Sequence, residues 1–257
     1  MFKKITILLK KDLQIEEKVT DKIKEIFSES KIKIILLGNL TKNDLTDSDL
    51  VITIGGDGTF VRAANLIENS LVLGINSNPK TSEGALTSIA IDEIDKLKQV
   101  EENKFKIIER QRAEVVLNNK ILDEKAINEV YVGTLSQFHI SRYKIKFKDK
   151  EEEQRSSGIL VSTGTGSRAW FLSARGKPFN PSEKKLCFIV REPYFGKRIF
   201  MPTLFKGDVL EGEKLEIESN RDFGGIIAIN DSVYDFNKGD IVQIKLSEKP
   251  LKVIKLK

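Results

Sequence analysis

Three stretches of the chain carry residue types that can do chemistry. The sharpest is residues 49–65, DLVITIGGDGTFVRAAN, where an apolar run enters Gly55-Gly56-Asp57-Gly58-Thr59 and a helical pattern follows. Three glycines in four positions let the backbone approach a ligand closely. They also let its N–H groups form an anion-binding nest at the end of a strand. A carboxylate in such a nest would repel phosphate, so Asp57 points to a magnesium ion or to a proton that must be abstracted. The plain alternative is a strand–helix turn in which Asp57 caps the helix. Arg62, on the following helix, is a cation suited to a phosphate or to a surface ion pair. No Gly-Lys-Ser/Thr follows, so this is not a P-loop, and the spacing is not the dinucleotide fingerprint GxGxxG.

The second stretch is residues 154–174, QRSSGILVSTGTGSRAWFLSA. A strand over 158–162 runs into Thr163-Gly164-Thr165-Gly166-Ser167, and a helix is predicted from Arg168. This reads as another backbone cradle with hydroxyl donors, a cation (Arg168) and a stacking surface (Trp170), although Gly/Ser/Thr runs are commonly plain loops. The third stretch is Ala126-Ile127-Asn128-Glu129-Val130, where two polar residues interrupt a branched strand. Adjacent side chains point to opposite faces, so Asn128 and Glu129 reach one ligand only at a bulge or a strand end. His139 and Cys187 read as structural, and Glu151-Glu152-Glu153 as solvated. A single cysteine and a single histidine exclude an intrachain disulfide, a cysteine zinc site and a multi-histidine cluster. No dedicated metal cage is visible.

The elements that must position these residues fall into two textures. Up to residue 102, apolar runs at 5–9, 32–37, 50–54 and 71–75 alternate with helical patterns at 12–27, 60–68 and 92–102. Ile15, Val19, Ile23 and Ile26/Phe27 make one helical face. Such alternation predicts an α/β domain with a parallel sheet and right-handed crossovers. Beyond it, branched and aromatic runs are separated by turn signals at Asn118-Asn119, Asp149-Lys150 and 237–240. The last two, 241–246 and 251–256, close a mostly antiparallel half. The predicted division is therefore an α/β domain over 1–102 and a β-rich domain over 103–257, with the cleft between them as the default ligand site. The net charge of +5 is spread along the chain and aromatic residues are only 7%, so neither a nucleic-acid arm nor a membrane-docking stripe is indicated. No run approaches 18 apolar residues. A strand beginning by Lys3 leaves no room for a targeting peptide, and a cytoplasmic location is expected.

Taken together, GGDGT at 55–59, Asn-Glu at 128–129 and TGTGS at 163–167 resemble the NAD kinases of the diacylglycerol kinase-like superfamily. That family's third motif usually reads TPTGSTAY. Gly-Ile-Asn-Ser-Asn-Pro at 74–79, Ser82-Glu83-Gly84, Ser156-Ser157-Gly158, the TGTGS–basic–Ala–Trp run and Arg191-Glu192-Pro193 are similar to its mitochondrial-type branch. The shorter chain suggests a prokaryotic member of that kind. The resemblance implies the family's two-domain architecture and ATP-dependent phosphorylation of the adenosine ribose 2′-hydroxyl of NAD(H), with Mg2+. It places Asp57 as general base and Gly55, Gly56, Gly58 and Thr59 as the phosphate-binding turn. It places Asn128 and Glu129 on the dinucleotide, and Thr165, Ser167, Ala169 and Trp170 as a substrate wall. Asp231 matches the aspartate of a late Asp-Gly motif, with Ser232 replacing the glycine. Ser157 stands where many bacterial members have aspartate, which implies that a contact there is lost or replaced. At the first turn of the predicted helix a cation opposes the dipole, so Arg168 is expected to meet a substrate phosphate. A homodimer or higher homo-oligomer is implied, with small-molecule substrates only. The competing readings are a non-catalytic nucleotide sensor on the same fold and a lipid kinase.

Overall fold

The computed structural model describes residues 2–10 and 13–256, without the side chains of 13–17. Asp12, where the first helix was expected to open, and the side chain of Ile15 lie outside the described residues. The first unit comprises the chain up to Glu109 together with the segment from Leu251. Its elements begin with β1 (Lys4–Leu9), α1 (Leu13–Ile26), β2 (Lys31–Leu36), β3 (Leu50–Gly55) and α2 (Asp57–Leu66). They continue with β4 (Leu71–Asn76), β5 (Ile89–Ala90), α3 (Leu97–Glu101) and β6 (Lys106–Arg110). The strands β2-β1-β3-β4 pair in parallel. β1, β3 and β4 are buried along almost their whole length, which is why their sequences read as continuous apolar runs rather than alternating ones. The edge strand β2 is largely exposed and carries Lys31 and Lys33, charges that discourage further strand addition. Val19 and Ile23 of α1, with Phe27 just beyond it, are buried as their spacing predicts. The polar helix expected over 92–102 is instead a 3₁₀ segment, Ile91–Lys96, followed by the short α3. Leu97 and Val100, three apart, turn fully into the core.

The second unit, Arg110–Pro250, is β-rich. It contains β7 (Ala113–Leu117), β8 (Lys120–Ile121), β9 (Glu129–Thr134), β10 (Ser141–Phe147), β11 (Lys150–Ser156), β12 (Ile159–Ser162) and the four-residue α4 (Trp170–Ser173). It continues through β13 (Lys185–Val190), β14 (Lys206–Leu210), β15 (Lys214–Ser219), β16 (Gly225–Ile229), β17 (Ser232–Asp235) and β18 (Ile241–Leu246). These form two antiparallel sheets, in the orders β11-β10-β15-β18-β7-β8 and β14-β13-β12-β9-β16-β17. Their inward faces share one core. Tyr143, Ile145, Phe147, Ile217, Val242 and Ile244 of the first meet Val130, Val132, Ile159, Val161 and Phe188 of the second. Phe147 and Phe188 pack edge to face at 5.2 Å. The turn signals hold where two residues connect strands: Asn118 and Asn119 both adopt positive φ (49° and 65°), as the tightest hairpin turn requires. The next turn falls one residue earlier than expected, at Lys148-Asp149, with φ 56° at Lys148.

The division differs from the expected one at both ends. The run expected as one strand over 104–117 breaks at Gln111-Arg112 into β6 and β7, which belong to different sheets. Arg112 is fully buried, and its Nε and Nη2 donate to the carbonyl of Lys249 at 3.0 and 2.8 Å. The final strand β19 (Leu251–Lys255) does not close the antiparallel half. It pairs in parallel with β4 in the first sheet, Lys252 opposite Leu71 and Val253 opposite Val72. The physical reason is two-sided burial: Val253 and Ile254 are consecutive and both buried, as suits a strand flanked by β4 and β6.

Candidate active site

The glycine turn sits where β3 ends and α2 begins. Gly56 is the N-cap, extended at φ −91° and ψ −170°, and its carbonyl accepts from the N–H groups of Thr59 and Phe60. No residue from 55 to 58 has positive φ. The free donors of the turn are therefore the first N–H groups of α2, those of Asp57 and Gly58, which have no intrahelical acceptor. The helix opens three residues before the expected 60 because Gly56 caps it. The glycines differ in why they are needed. A Cβ on Gly55 would strike the Thr59 side chain, and one on Gly56 would come within 2.9 Å of Ser82 Oγ, whereas Gly58 faces open space. Thr59 is buried, its hydroxyl packed on Gly55. Asp57 is half-buried in the first turn of α2. Its Oδ2 accepts from the N–H of Ala85 at 3.1 Å and its Oδ1 from that of Leu86 at 2.8 Å. Arg62 lies one turn after Gly58 on the same helix face.

The loop that holds Asp57 is itself stitched. Buried Asn76 donates to the Ser82 carbonyl at 3.1 Å, and Thr87 Oγ1 donates to the Gly84 carbonyl at 2.9 Å. Gly84 adopts φ 61° with Asn76 and Thr87 against it, a position closed to other residues. The runs at 74–79 and 82–84 noted in the sequence thus shape the peptide groups that aim the carboxylate. That Ala85 and Leu86 are the partners of Asp57 carried no local sequence signal.

In the second unit, Asn128 and Glu129 stand at the start of β9, the strand-end placement needed for both to reach one ligand. Glu129 pairs with Ser162, so the TGTGS segment leaves β12 beside it. The segment is a packed turn. Thr163 donates its hydroxyl to the carbonyl of Ile127 and receives the N–H groups of Thr165 and Gly166 at 3.1 and 3.2 Å. Ser167 donates to the Gly164 carbonyl at 2.7 Å and accepts from Phe179 N–H at 3.0 Å. Both hydroxyls are fully buried. They therefore build the loop; Thr165 is buried as well, and its Oγ1 accepts from Arg110 Nη1 at 3.2 Å. A Cβ on Gly164 would strike the Asn180 carbonyl, and one on Gly166 the Asn128 carbonyl and Glu129 Oε2. Glu129 Oε2 is buried without a hydrogen-bond partner, and burial pushes this carboxyl up to about 7.

The helix expected from Arg168 does not start there. Gly166–Arg168 is a 3₁₀ turn, and α4 begins only at Trp170 and lasts one turn. Arg168 and Ala169 are exposed. Trp170 is partly exposed and packs on Tyr131, with ring centroids 5.3 Å apart, while the Arg191 guanidinium lies 5.1 Å from its centroid. Ser157, the departure noted in the sequence, binds through its backbone: its carbonyl accepts from Tyr131 Oη and its N–H donates to the Arg191 carbonyl, each at 2.9 Å. Arg110 and Tyr131 escaped sequence reasoning because an arginine and a tyrosine in strands carry no signal. Arg191 was visible only within the Arg-Glu-Pro run. Asp231 is exposed at the two-residue turn of the β16–β17 hairpin, where Asn230 takes φ 52°.

Residues 3–105 match the family model described as ATP-NAD kinase N-terminal domain. The NAD kinase of Caldicellulosiruptor saccharolyticus is 30% identical over 248 residues, covering 95% of this chain and 90% of that one. The NAD kinase of Methanosarcina mazei is 30% identical over 213 residues, 81% of this chain and 70% of that one. Two solved structures share the fold. Yeast NADH kinase complexed with NADH has a TM-score of 0.82 at 17% identity, covering 99% of this chain and 84% of that one. An NAD kinase from Archaeoglobus fulgidus in complex with ATP has a TM-score of 0.74 at 22% identity, covering 97% and 92%. Similarity that runs almost end to end, with the glycine turn, the Asn-Glu pair and the TGTGS segment in order, places the chain in the NAD kinase family.

Proposed function

We propose that this chain transfers the γ-phosphoryl group of ATP to the 2′-hydroxyl of the adenosine ribose of NAD(H), giving NADP(H). The observation that carries the reading is Asp57, a carboxylate at the C-terminal end of a buried strand, aimed by two peptide N–H groups. Phosphoryl transfer has a loose transition state, so the protein contributes chiefly positioning and charge neutralisation. A ribose hydroxyl becomes a competent nucleophile when a carboxylate orients it and takes its proton, a role that typically contributes about 10²–10⁴-fold. In the first unit, the N–H groups at the start of α2 face a nucleotide phosphate at Gly58, Gly55, Gly56 and Thr59 keep the turn closed, and Arg62 supplies a cation. Among the described residues no cluster of three metal-ligating side chains occurs. Mg2+ would be carried chiefly on the nucleotide phosphates and would neutralise their charge, with Asp57 as the carboxylate able to hold it or its waters.

In the second unit, the bare buried oxygen of Glu129 calls for a donor, and a hydroxyl or amino group of the dinucleotide supplies one. Asn128 shares the strand start, Thr165, Ala169, Trp170 and Asp231 contact the same substrate, and Arg168 meets a phosphate. Ser167 acts by holding the loop. The related structures, one with NADH and one with ATP, support both co-substrates, and neither the sensor nor the lipid kinase is favoured by the relatives. The TGTGS–basic–Ala–Trp run and Arg191-Glu192-Pro193 support the mitochondrial-type branch.

We also infer a cytoplasmic homo-oligomer. Tyr194, Phe195, Ile199 and Met201 are exposed on one irregular connection, an apolar surface suited to self-association. No helix among the described residues is long and apolar enough to cross a membrane. The test is to incubate purified protein with Mg-ATP and NAD+ or NADH and to read NADP(H) with a dehydrogenase specific for it, alongside mass by light scattering. Nucleotide binding without product would favour the sensor.

A further inference from the structure

One carboxylate in the second unit makes a connection that the roles above do not use. Glu124 lies on the connection between β8 and β9, four residues before Asn128. It accepts from Ser232 Oγ at 2.7 Å and from Tyr234 Oη. Ser232 and Tyr234 are two apart on β17, so both hydroxyls leave the same face of that strand. β17 follows directly on the Asn230-Asp231 turn, and β16, which leads into the turn, pairs with β9 so that Ile229 stands opposite Val130. The hairpin tip therefore lies at the end of β9 where Asn128 and Glu129 stand. A strand ladder alone fixes one side of the hairpin. Glu124 fixes the other, from the segment that delivers Asn128 and Glu129.

This contact also accounts for a departure in the sequence. Ser232 occupies the position of the glycine in the late Asp-Gly motif, and its hydroxyl is spent on Glu124. A glycine could not make that bond. The Tyr234 hydroxyl is held above the ordinary tyrosine range by burial first and by Glu124 second, so it stays a donor to the carboxylate.

We propose that Glu124 is a positioning residue: by binding Ser232 and Tyr234 together it sets the Asn230-Asp231 turn against Asn128 and Glu129, and so acts on the dinucleotide through Asp231. The inference rests on the reading that Asp231 and the Asn128–Glu129 pair bind NAD(H). Partial loss of that positioning should raise KM for the dinucleotide about 10-fold or more.

The experiment is steady-state kinetics on the full chain with Glu124→Ala, Glu124→Gln, Asp231→Asn and the double variant Glu124→Ala/Asp231→Asn, with melting temperature for each. The expected result is a raised KM for NAD(H) in Glu124→Ala with KM for ATP within two-fold of wild type. Glu124→Gln, which keeps one acceptor and offers a donor to the Tyr234 oxygen, should restore KM to within three-fold. The double variant should be no worse than Asp231→Asn alone. Equal rises in both KM values, or additive effects in the double variant, overturn the proposal and leave a brace that serves stability only. A silent Asp231→Asn also overturns it, by removing the residue Glu124 is said to position. That outcome is told apart because the dinucleotide role of Asp231 fails whatever Glu124 does. If Glu124→Ala does not fold, Glu124→Gln and its combination with Asp231→Asn carry the same comparison.

Discussion

The two glycine-rich turns look alike in sequence and are built for opposite purposes. At 55–59 the turn is a helix start: Gly58 is open to solvent, the N–H groups of Asp57 and Gly58 have no intrahelical acceptor, and Asp57 is clamped from a neighbouring loop. At 163–167 the turn faces inward: Thr163 and Ser167 are fully buried, their hydroxyls satisfy carbonyls and N–H groups of the chain, and Gly164 and Gly166 lie against other backbone. In the first only Gly58 opens on free space, while Gly55 and Gly56 are packed on Thr59 and Ser82. In the second the glycines lie against backbone and side chains of the chain itself, and the turn supports Glu129 and Trp170, the residues proposed to meet the dinucleotide. Glycine and hydroxyl residues after a strand thus do not by themselves identify a phosphate cradle. What separates the two is whether their polar groups are already satisfied by the chain.

The largest effect expected from that contrast is at Asp57. Asp57→Asn should lower kcat by about 10²-fold or more, since an amide does not take the ribose proton. The change is not silent structurally. Asp57 accepts on both oxygens, and in the amide one of the two peptide N–H groups meets an NH₂ instead of an oxygen. A stability loss of about 1–3 kcal/mol should accompany the kinetic one. Wild-type kcat with a lowered melting temperature would make Asp57 a clamp for residues 85–86 and remove it from catalysis.

Gly166→Ala and Gly58→Ala test the inward and outward turns against each other. A Cβ at 166 meets the Asn128 carbonyl and Glu129 Oε2, so something must move, and overpacking of this kind costs about 1–3 kcal/mol. The shift falls on Asn128 and Glu129, so KM for NAD(H) should rise as the melting temperature falls. A Cβ at 58 meets nothing, and alanine in a helix is favoured over glycine by about 1 kcal/mol. Gly58→Ala should therefore hold or raise stability while raising KM for ATP, because the methyl group stands where a phosphate approaches. Calorimetry and kinetics on the pair would break the comparison if both variants lost stability alike.

Glu129 sharpens the comparison through pH. Its carboxyl is raised from an ordinary 4.5 to about 7 by burial. Below pH 4.5 it is protonated in folded and unfolded chains and costs nothing. Between 4.5 and 7 the unfolded chain releases the proton and the folded one keeps it, so stability falls as pH rises. Above 7 the penalty is constant, at most about 3 kcal/mol. Glu129→Gln removes the titration. In the ligand-free protein it should gain stability relative to wild type between pH 5 and pH 8, read from denaturant midpoints. A wild-type and variant difference that is flat over that range would mean the carboxylate finds a partner as it ionises.

Much of this arrangement was legible in the sequence. The largely apolar run into Gly55-Gly56 was read as a strand and is one, buried on both faces, whereas Asn128 and Glu129, read as interrupting a strand, stand at the start of β9. The return of β19 to the first sheet was not legible. Leu-Lys-Val-Ile-Lys-Leu satisfies both an alternating and a two-sided pattern, and only the partner strands decide which is used. Nor was the inward direction of Thr163 and Ser167, since a hydroxyl that binds a ligand and one that binds its own chain are the same letter. Glu124 was silent for a related reason: its two partners lie more than a hundred residues away.

The smallest effect belongs to Arg168. The expectation of a tight phosphate contact rested on a helix beginning at this residue, where a cation needs an anion to offset the dipole. The structure removes that premise: Arg168 ends a 3₁₀ turn, α4 starts two residues later and lasts one turn, and the side chain is exposed. What remains is an exposed cation next to Ala169 and Trp170, and exposed ion pairs contribute about 0.2–1 kcal/mol, or about 1.4- to 5-fold. Arg168→Met, which keeps much of the stem and loses the charge, should therefore lower kcat/KM for NAD(H) by less than about 5-fold at low salt. Since the Debye length shrinks from about 10 Å at 0.1 M to about 3 Å at 1 M, the difference from wild type should vanish as salt is raised. A loss of 10-fold or more that persists at high salt would mean that substrate binding buries this arginine and rebuilds the turn around it. In that case the second turn would also offer a charge to a ligand, and the contrast with the first would narrow to which backbone groups the chain itself satisfies.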